Sequence, residues 1–195
     1  MVNIPILVDL VLKEEDRRKP NKHKIKSYLN KIKDFSYTDK LTGLRNKEFA
    51  DLALKESINI STKTKQPFTF FMLDVAGLKI FNNKYSREIG DLVIKTAAQF
   101  LEENIREGDI LFKFGDSADE FGIILKNTDE KEAKLFNERL IKNLENYSIS
   151  FQLRKINFKL PLKLHIGYST YYTNLDIKEV ILKANEMMNE TKHLK

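Results

Sequence analysis

Apolar residues recur at spacings of three and four through Ile89, Leu92, Val93, Thr96, Ala97, Phe100 and Leu101, which predicts a helix with one buried stripe that stops near Gly108. The run Phe68 to Leu73 is apolar except for Thr69, opens after Pro67 and reads as a buried strand ending at Asp74. Shorter patterns fill in the rest. Asn46 is placed to cap a helix bearing Phe49, Leu52 and Ala53. Ile110 to Phe114 and Phe121 to Leu125 read as the two strands of a hairpin, with the polar turn residues Gly115, Asp116 and Ser117 between them. A helix from about Asp129 to Asn146, strands around Ser148 to Leu153 and Lys163 to Tyr171, and a last helix from Asp176 complete the series. The order βαββαββα predicts an α+β sandwich whose sheet contains antiparallel pairs. Upstream, Lys19, Pro20 and Asn21 separate a short apolar segment from Ile25, Tyr28, Leu29, Ile32 and Phe35, which fall at helical spacing. Residues 1 to 36 are therefore expected to form a helical extension, and 37 to 195 a single domain.

Composition narrows the functional classes. The 34 Lys and Arg exceed the 28 Asp and Glu, a formal charge of +6 that favours polyanionic ligands. Many of the lysines, such as Lys131, Lys134 and Lys142, sit in mixed-charge helical stretches, so a DNA or RNA partner is not expected. Cysteine is absent, which excludes disulfides, thiolate nucleophiles and Cys-based zinc sites, and fits a cytoplasmic location. No apolar stretch approaches the roughly 20 residues of a membrane span, and the opening residues lack the basic region of a signal peptide.

Chemistry is expected where Asp74 ends its apolar strand, because such a position faces a crevice. The hairpin adds Asp116, Asp119 and Glu120. If it pairs beside the Asp74 strand, these hard oxygens converge as magnesium prefers, with substrate phosphates and water completing the shell. The same acids also suit a solvated hairpin tip, and on spacing alone that reading is preferred.

Several separated motifs resemble the GGDEF family of diguanylate cyclase domains. Asp39, Leu41, Thr42, Gly43, Leu44 and Asn46 resemble the DxLTGLxN element, with Lys47 where the family usually has arginine. Leu73, Asp74, Lys79, Asn82, Gly90 and Asp91 follow at the family's spacing, then Lys113, Phe114 and Gly115 with Asp119, Glu120 and Phe121 resemble RYGGDEF. His165, Ile166 and Gly167, and later Ala184, Glu186 and Lys192, resemble the closing strand and helix.

The resemblance implies a fold like the nucleotidyl cyclase and polymerase palm, a mixed, largely antiparallel sheet flanked by helices. It implies Asp74, Asp119 and Glu120 as catalytic and Mg2+-binding residues, with two ions if the domain turns over. Asn82 and Asp91 would read guanine, while Lys79 and Lys192 would hold phosphate charge. Arg106 and Asp109 form an RxxD motif where the family binds cyclic di-GMP as inhibitor, and Arg139 corresponds to a second arginine of that site. The implied partners are GTP, cyclic di-GMP and a second copy of the domain.

The signature departs from the family pattern. Gly115 is followed by Asp116, Ser117 and Ala118 before Asp119, an insertion of two residues. Ala76 replaces the second acid of the DxD element, Ser86 and Arg87 replace Gly-His, and Asn185 and Asn189 replace an acid and a Tyr of the last helix. The expectation is a divergent domain that binds GTP or cyclic di-GMP with reduced or absent cyclase activity. An active cyclase and a ligand-free dimerisation module are the alternatives.

Overall fold

A strand that is apolar almost throughout must be covered on both faces, and Phe68–Val75 is. The computed structural model describes residues 4–15, 17, 21–115 and 119–193. In chain order the elements are α1 (Ile4–Glu15), α2 (Lys22–Ser36), α3 (Lys47–Thr64), β1 (Phe68–Val75), α4 (Leu78–Lys84), α5 (Arg87–Asn104), β2 (Ile110–Lys113), β3 (Glu120–Lys126), α6 (Glu130–Glu145), β4 (Ser148–Leu153), β5 (Ile156–Pro161), β6 (Leu164–Tyr171) and α7 (Ile177–His193). They fall into two compact units, Met1–Thr38 and Asp39–Lys195.

In the larger unit the sheet runs β2-β3-β1-β6, and its neighbouring strands pair antiparallel. Side chains alternate across it. Phe71, Leu73 and Val75 point to the face packed by Val93, Ala97, Phe100 and Leu101 of α5 and by Ala133 and Leu140 of α6. Phe68, Phe70 and Met72 point to the other face, where Ala50 and Ala53 of α3 and Val180, Ala184 and Met188 of α7 cover them. Thr69, the polar interruption in β1, satisfies its hydroxyl against the Thr128 carbonyl at 3.0 Å and Thr170 Oγ1 at 2.8 Å. Gly167 of β6 lies under α7 so closely that a Cβ there would meet the backbone of Ala184 and Met188.

Both outer strands make contacts beyond the sheet. Arg45 bridges Phe112 of β2, with Lys113 N–H donating to the Arg45 carbonyl at 2.7 Å. On β6, Tyr168 N–H donates to Met187 Sδ at 3.4 Å.

The helix starts follow their local sequence. Asn46 caps α3 by accepting from Phe49 N–H at 3.2 Å, as expected. Asp129 and Glu132 form a reciprocal capping box on α6 at 2.8 and 3.0 Å. Asp129→Ala is therefore expected to cost about 1 kcal/mol and to lower Tm by about 2–4 °C, read by thermal denaturation; an unchanged Tm would refute the cap's contribution.

Two elements were not expected. One is α4, only seven residues long. The other is β5, which pairs with β4 as a separate two-stranded sheet. Its turn places Arg154 and Lys155 at φ +49° and +66°, without the Asn or Gly that normally marks such a turn. In the smaller unit, Leu7, Val11 and Glu14 form the buried stripe of α1, and the Glu14 carboxylate accepts from Asn21 N–H at 3.3 Å.

Candidate active site and arginine pocket

The sheet register sets the acids together. Asp74, near the end of β1, lies opposite Glu120 on β3 and opposite His165 on β6. The hairpin closes by Phe114 N–H donating to the Glu120 carbonyl at 3.1 Å, and Val75 N–H donates to the Asp119 carbonyl at 3.2 Å. Gly115 sits at φ +75°, a conformation strained for any side chain, so this glycine of the signature is needed for its backbone, and the end of the Glu120 side chain lies where a Cβ would be. The tip residues Asp116 to Ala118, including the acid placed there from sequence, lie outside the described residues.

Burial raises the Asp74 carboxyl above its ordinary range; Lys192 of α7, 3.2 Å away, offsets part of this, and Asp119 adds to it. The Glu120 carboxyl is also raised, by burial first and then by Asp74 and Asp119. These are crowded, half-desolvated carboxylates that gain from added positive charge. Among the described residues no group of three or more such ligands is placed to hold a metal ion. That arrangement still fits magnesium, which takes one or two protein carboxylates and keeps the rest of its octahedron for water and phosphate oxygens.

Lys113, at the end of β2, is the group that local sequence reasoning did not single out. It is 8% exposed, and its ammonium stands 3.9 Å from the centroid of the Phe121 ring. Burial pushes it down to about 8, although Asp39, Asp119, Glu120 and Asp74 all pull the other way. A lysine closing an otherwise apolar strand was the available signal.

Asn82 of α4 lies against Gly90 of α5, where a Cβ would meet its side-chain amide. This brings Asn82 beside the residue that precedes Asp91. Lys79 and Asp91 are both exposed. The sheet and α7 thus bring Asp74, Glu120 and Lys192 together, while α4 sets Asn82 against Gly90 in the first turns of α5.

The arginines form a separate site. Arg106, Asp109, Thr128, Glu132, Phe136 and Arg139 line a cavity of about 250 Å³ together with two leucines. Arg106 Nη2 donates to the Lys126 carbonyl at 2.7 Å and to Thr128 Oγ1 at 3.1 Å, and its Nε meets Asp109 at 3.4 Å. Arg139 Nη2 donates to the Asn104 carbonyl at 3.0 Å, with its guanidinium 5.2 Å from the Phe136 ring centroid. A guanidinium carries five N–H donors, so these bonds fix each arginine and leave donors for an anionic ligand.

The family model described as "Diguanylate cyclase, GGDEF domain" matches residues 36–195. Diguanylate cyclase A of Treponema denticola is 28% identical over 167 residues, covering 84% of this chain and 43% of that protein. The probable diguanylate cyclase DgcT of Escherichia coli is 26% identical over 169 residues, covering 85% of this chain and 36% of its own length. The chain thus spans less than half of these relatives. Among solved structures, the coiled coil and GGDEF domain of DgcB from Caulobacter crescentus, in complex with c-di-GMP, superposes with a TM-score of 0.77 at 18% identity, covering 96% of this chain and 93% of that one. The FimX GGDEF domain of Pseudomonas aeruginosa gives 0.72 at 19% identity, covering 82% and 95%. At these identities the structural likeness concerns the fold.

Proposed function

This chain belongs to the GGDEF family of diguanylate cyclase domains, and from that premise we propose that it acts in cyclic di-GMP signalling as a nucleotide-binding domain with reduced or absent turnover. The observation that carries the reading is the convergence of Arg106, Asp109 and Arg139 on one cavity. Two fixed guanidinium groups beside an aromatic ring offer forked donors for phosphate or guanine and a face for stacking. Cyclic di-GMP is the ligand assigned to this cavity.

GTP is assigned to the acid cluster. Asp74, Asp119 and Glu120 would hold Mg2+, which when bound neutralises triphosphate charge and polarises the phosphorus. Asn82 and Asp91 present an amide and a carboxylate to the guanine edge. Lys79 and Lys192 take the phosphate charge, Lys192 by leaving the Asp74 carboxylate that it now pairs with. Two such domains facing each other would join two GTP molecules. The two extra tip residues lie next to Asp119, and an error of about 1 Å in a positioned group costs on the order of a hundredfold in rate. Reduced turnover follows from that insertion. Among the described residues no helix is long and apolar enough to cross a membrane.

The test is incubation of the purified chain with GTP and Mg2+, chromatography for cyclic di-GMP, and calorimetry with cyclic di-GMP added directly. Little or no product, with cyclic di-GMP binding weakened about tenfold or more in Arg106→Ala, is the expected result. Turnover of about 1 per second or faster that vanishes in Asp119→Ala would replace this reading with a working cyclase. If neither nucleotide raises Tm, the domain is a ligand-free interaction module, because any ligand held only by the folded state must stabilise it.

A further inference from the structure

A second cavity is lined by none of the acids or arginines described above. It encloses about 360 Å³ between the Ala76–Gly77 turn, α4 and the end of β5, within the size range of small-molecule sites. Its walls are apolar: Ile80, Phe81 and Tyr85 from α4 and the residue that ends it, and Leu160 and Pro161 from β5. Its charged lining residues are Lys84 and Lys163, and no carboxylate lines it. The Lys84 ammonium stands 5.4 Å from the Tyr85 ring centroid, at the border between apolar wall and rim.

Two features distinguish this cavity from an ordinary surface dimple. Ile80 is 67% exposed although it belongs to a short helix whose Leu78 is buried in the core, so an aliphatic side chain is left in water at the mouth. Covering it would remove that apolar surface from water, which is favourable. The floor is also structurally fixed. Ala76 N–H donates to the Lys163 carbonyl at 2.9 Å, two residues beyond Asp74.

We propose that this cavity binds a small amphiphilic anion: an apolar body seated against Ile80, Phe81 and Leu160, and a single carboxylate or comparable acid held by Lys84 and Lys163. The charge pattern selects this class. A neutral apolar ligand leaves both ammonium groups beside the ligand without a counter-charge, and a ligand carrying several phosphates lacks the apolar body that the walls require. Such a ligand would abut the Ala76–Gly77 turn that leads from β1 into α4, the short helix that also carries Lys79 and Asn82 of the proposed GTP site.

The experiment uses the full chain and octanoate as probe, with octanol as its neutral counterpart, read by calorimetry and by the isoleucine methyl resonances. Octanoate is expected to bind at one site, to shift the Ile80 methyl saturably, and to bind at least about tenfold more tightly than octanol. Ile80→Glu and Lys84→Glu alter exposed side chains, so their Tm should match the parent chain, and each is expected to weaken octanoate by about tenfold or more. Equal affinity for octanol would refute the anion assignment. Octanoate binding that is absent, or unchanged in both variants, would overturn the site.

Discussion

Gly167→Val is expected to destabilise the larger unit by about 4 kcal/mol, at the extreme of single substitutions, and to lower Tm by about 10 °C or more. The reason is that the obstacle is backbone. A Cβ at position 167 would fall on the Ala184 carbonyl and the Met188 amide, and neither can rotate away as a side chain would. The helix must lift from β6, withdrawing Val180, Ala184 and Met188, each at most 1% exposed, from the face they share with Phe68, Phe70 and Met72. Because α7 also carries Lys192, the same shift would break its ion pair with Asp74. Urea denaturation measures the loss, and a variant within about 1 kcal/mol of the parent, a value ordinary for surface changes, would show that the helix yields freely.

Lys113→Met has the opposite sign. Burial moves the lysine from its ordinary 10.5 to about 8, outweighing the attraction of the four nearby acids. At 1.36 kcal/mol per pKa unit the protonated form is disfavoured by ~3 kcal/mol. Below pH 8 folded and unfolded chains both carry the proton, so this cost is present in full. Between about 8 and 10.5 the unfolded chain keeps the proton while the folded chain gives it up, so stability rises with pH across that window. Methionine fills a similar space without the charge. The variant should therefore be more stable than the parent at pH 7 by up to ~3 kcal/mol, with the gap closing as pH passes 8 and vanishing above 10.5. Urea midpoints measured at pH 7, 9 and 10.5 decide it; a variant less stable at pH 7 would mean that the cation's attraction to the acids dominates its burial.

What was legible in the sequence depended on pattern length. The α5 stripe and the β1 run each extend over enough residues for their period to be unambiguous, and both formed as expected. The hairpin pairs beside β1, the condition on which the acids were expected to converge, whereas the pairing of β6 along the other edge of β1 was not part of the expectation. By contrast, α4 is less than two full turns, too short for a 3.6-residue period to declare itself. The strand β5 was hidden because its turn uses Arg154 and Lys155 in a conformation usually signalled by Asn-Gly. Asp74 could be singled out because a carboxylate ending an apolar strand is conspicuous. The Arg106–Arg139 cavity could not be found from local pattern, since its two arginines are separated by β2, β3 and part of α6, and only family spacing linked them. Lys113 escaped because its consequence depends on Phe121 and four acids from three other segments, none adjacent in sequence.

The outer strands of the sheet also determine how the domain behaves among its own copies. An uncovered strand edge is a template on which another chain can add. At β2 the Arg45 segment supplies a backbone acceptor for Lys113 N–H, a strong closure. At β6 the corresponding N–H of Tyr168 is held by a thioether, a weak acceptor on a side chain that oxidation makes polar and bulkier. The β6 edge is therefore the less firmly closed of the two, and the one on which an added strand would meet the weaker competitor.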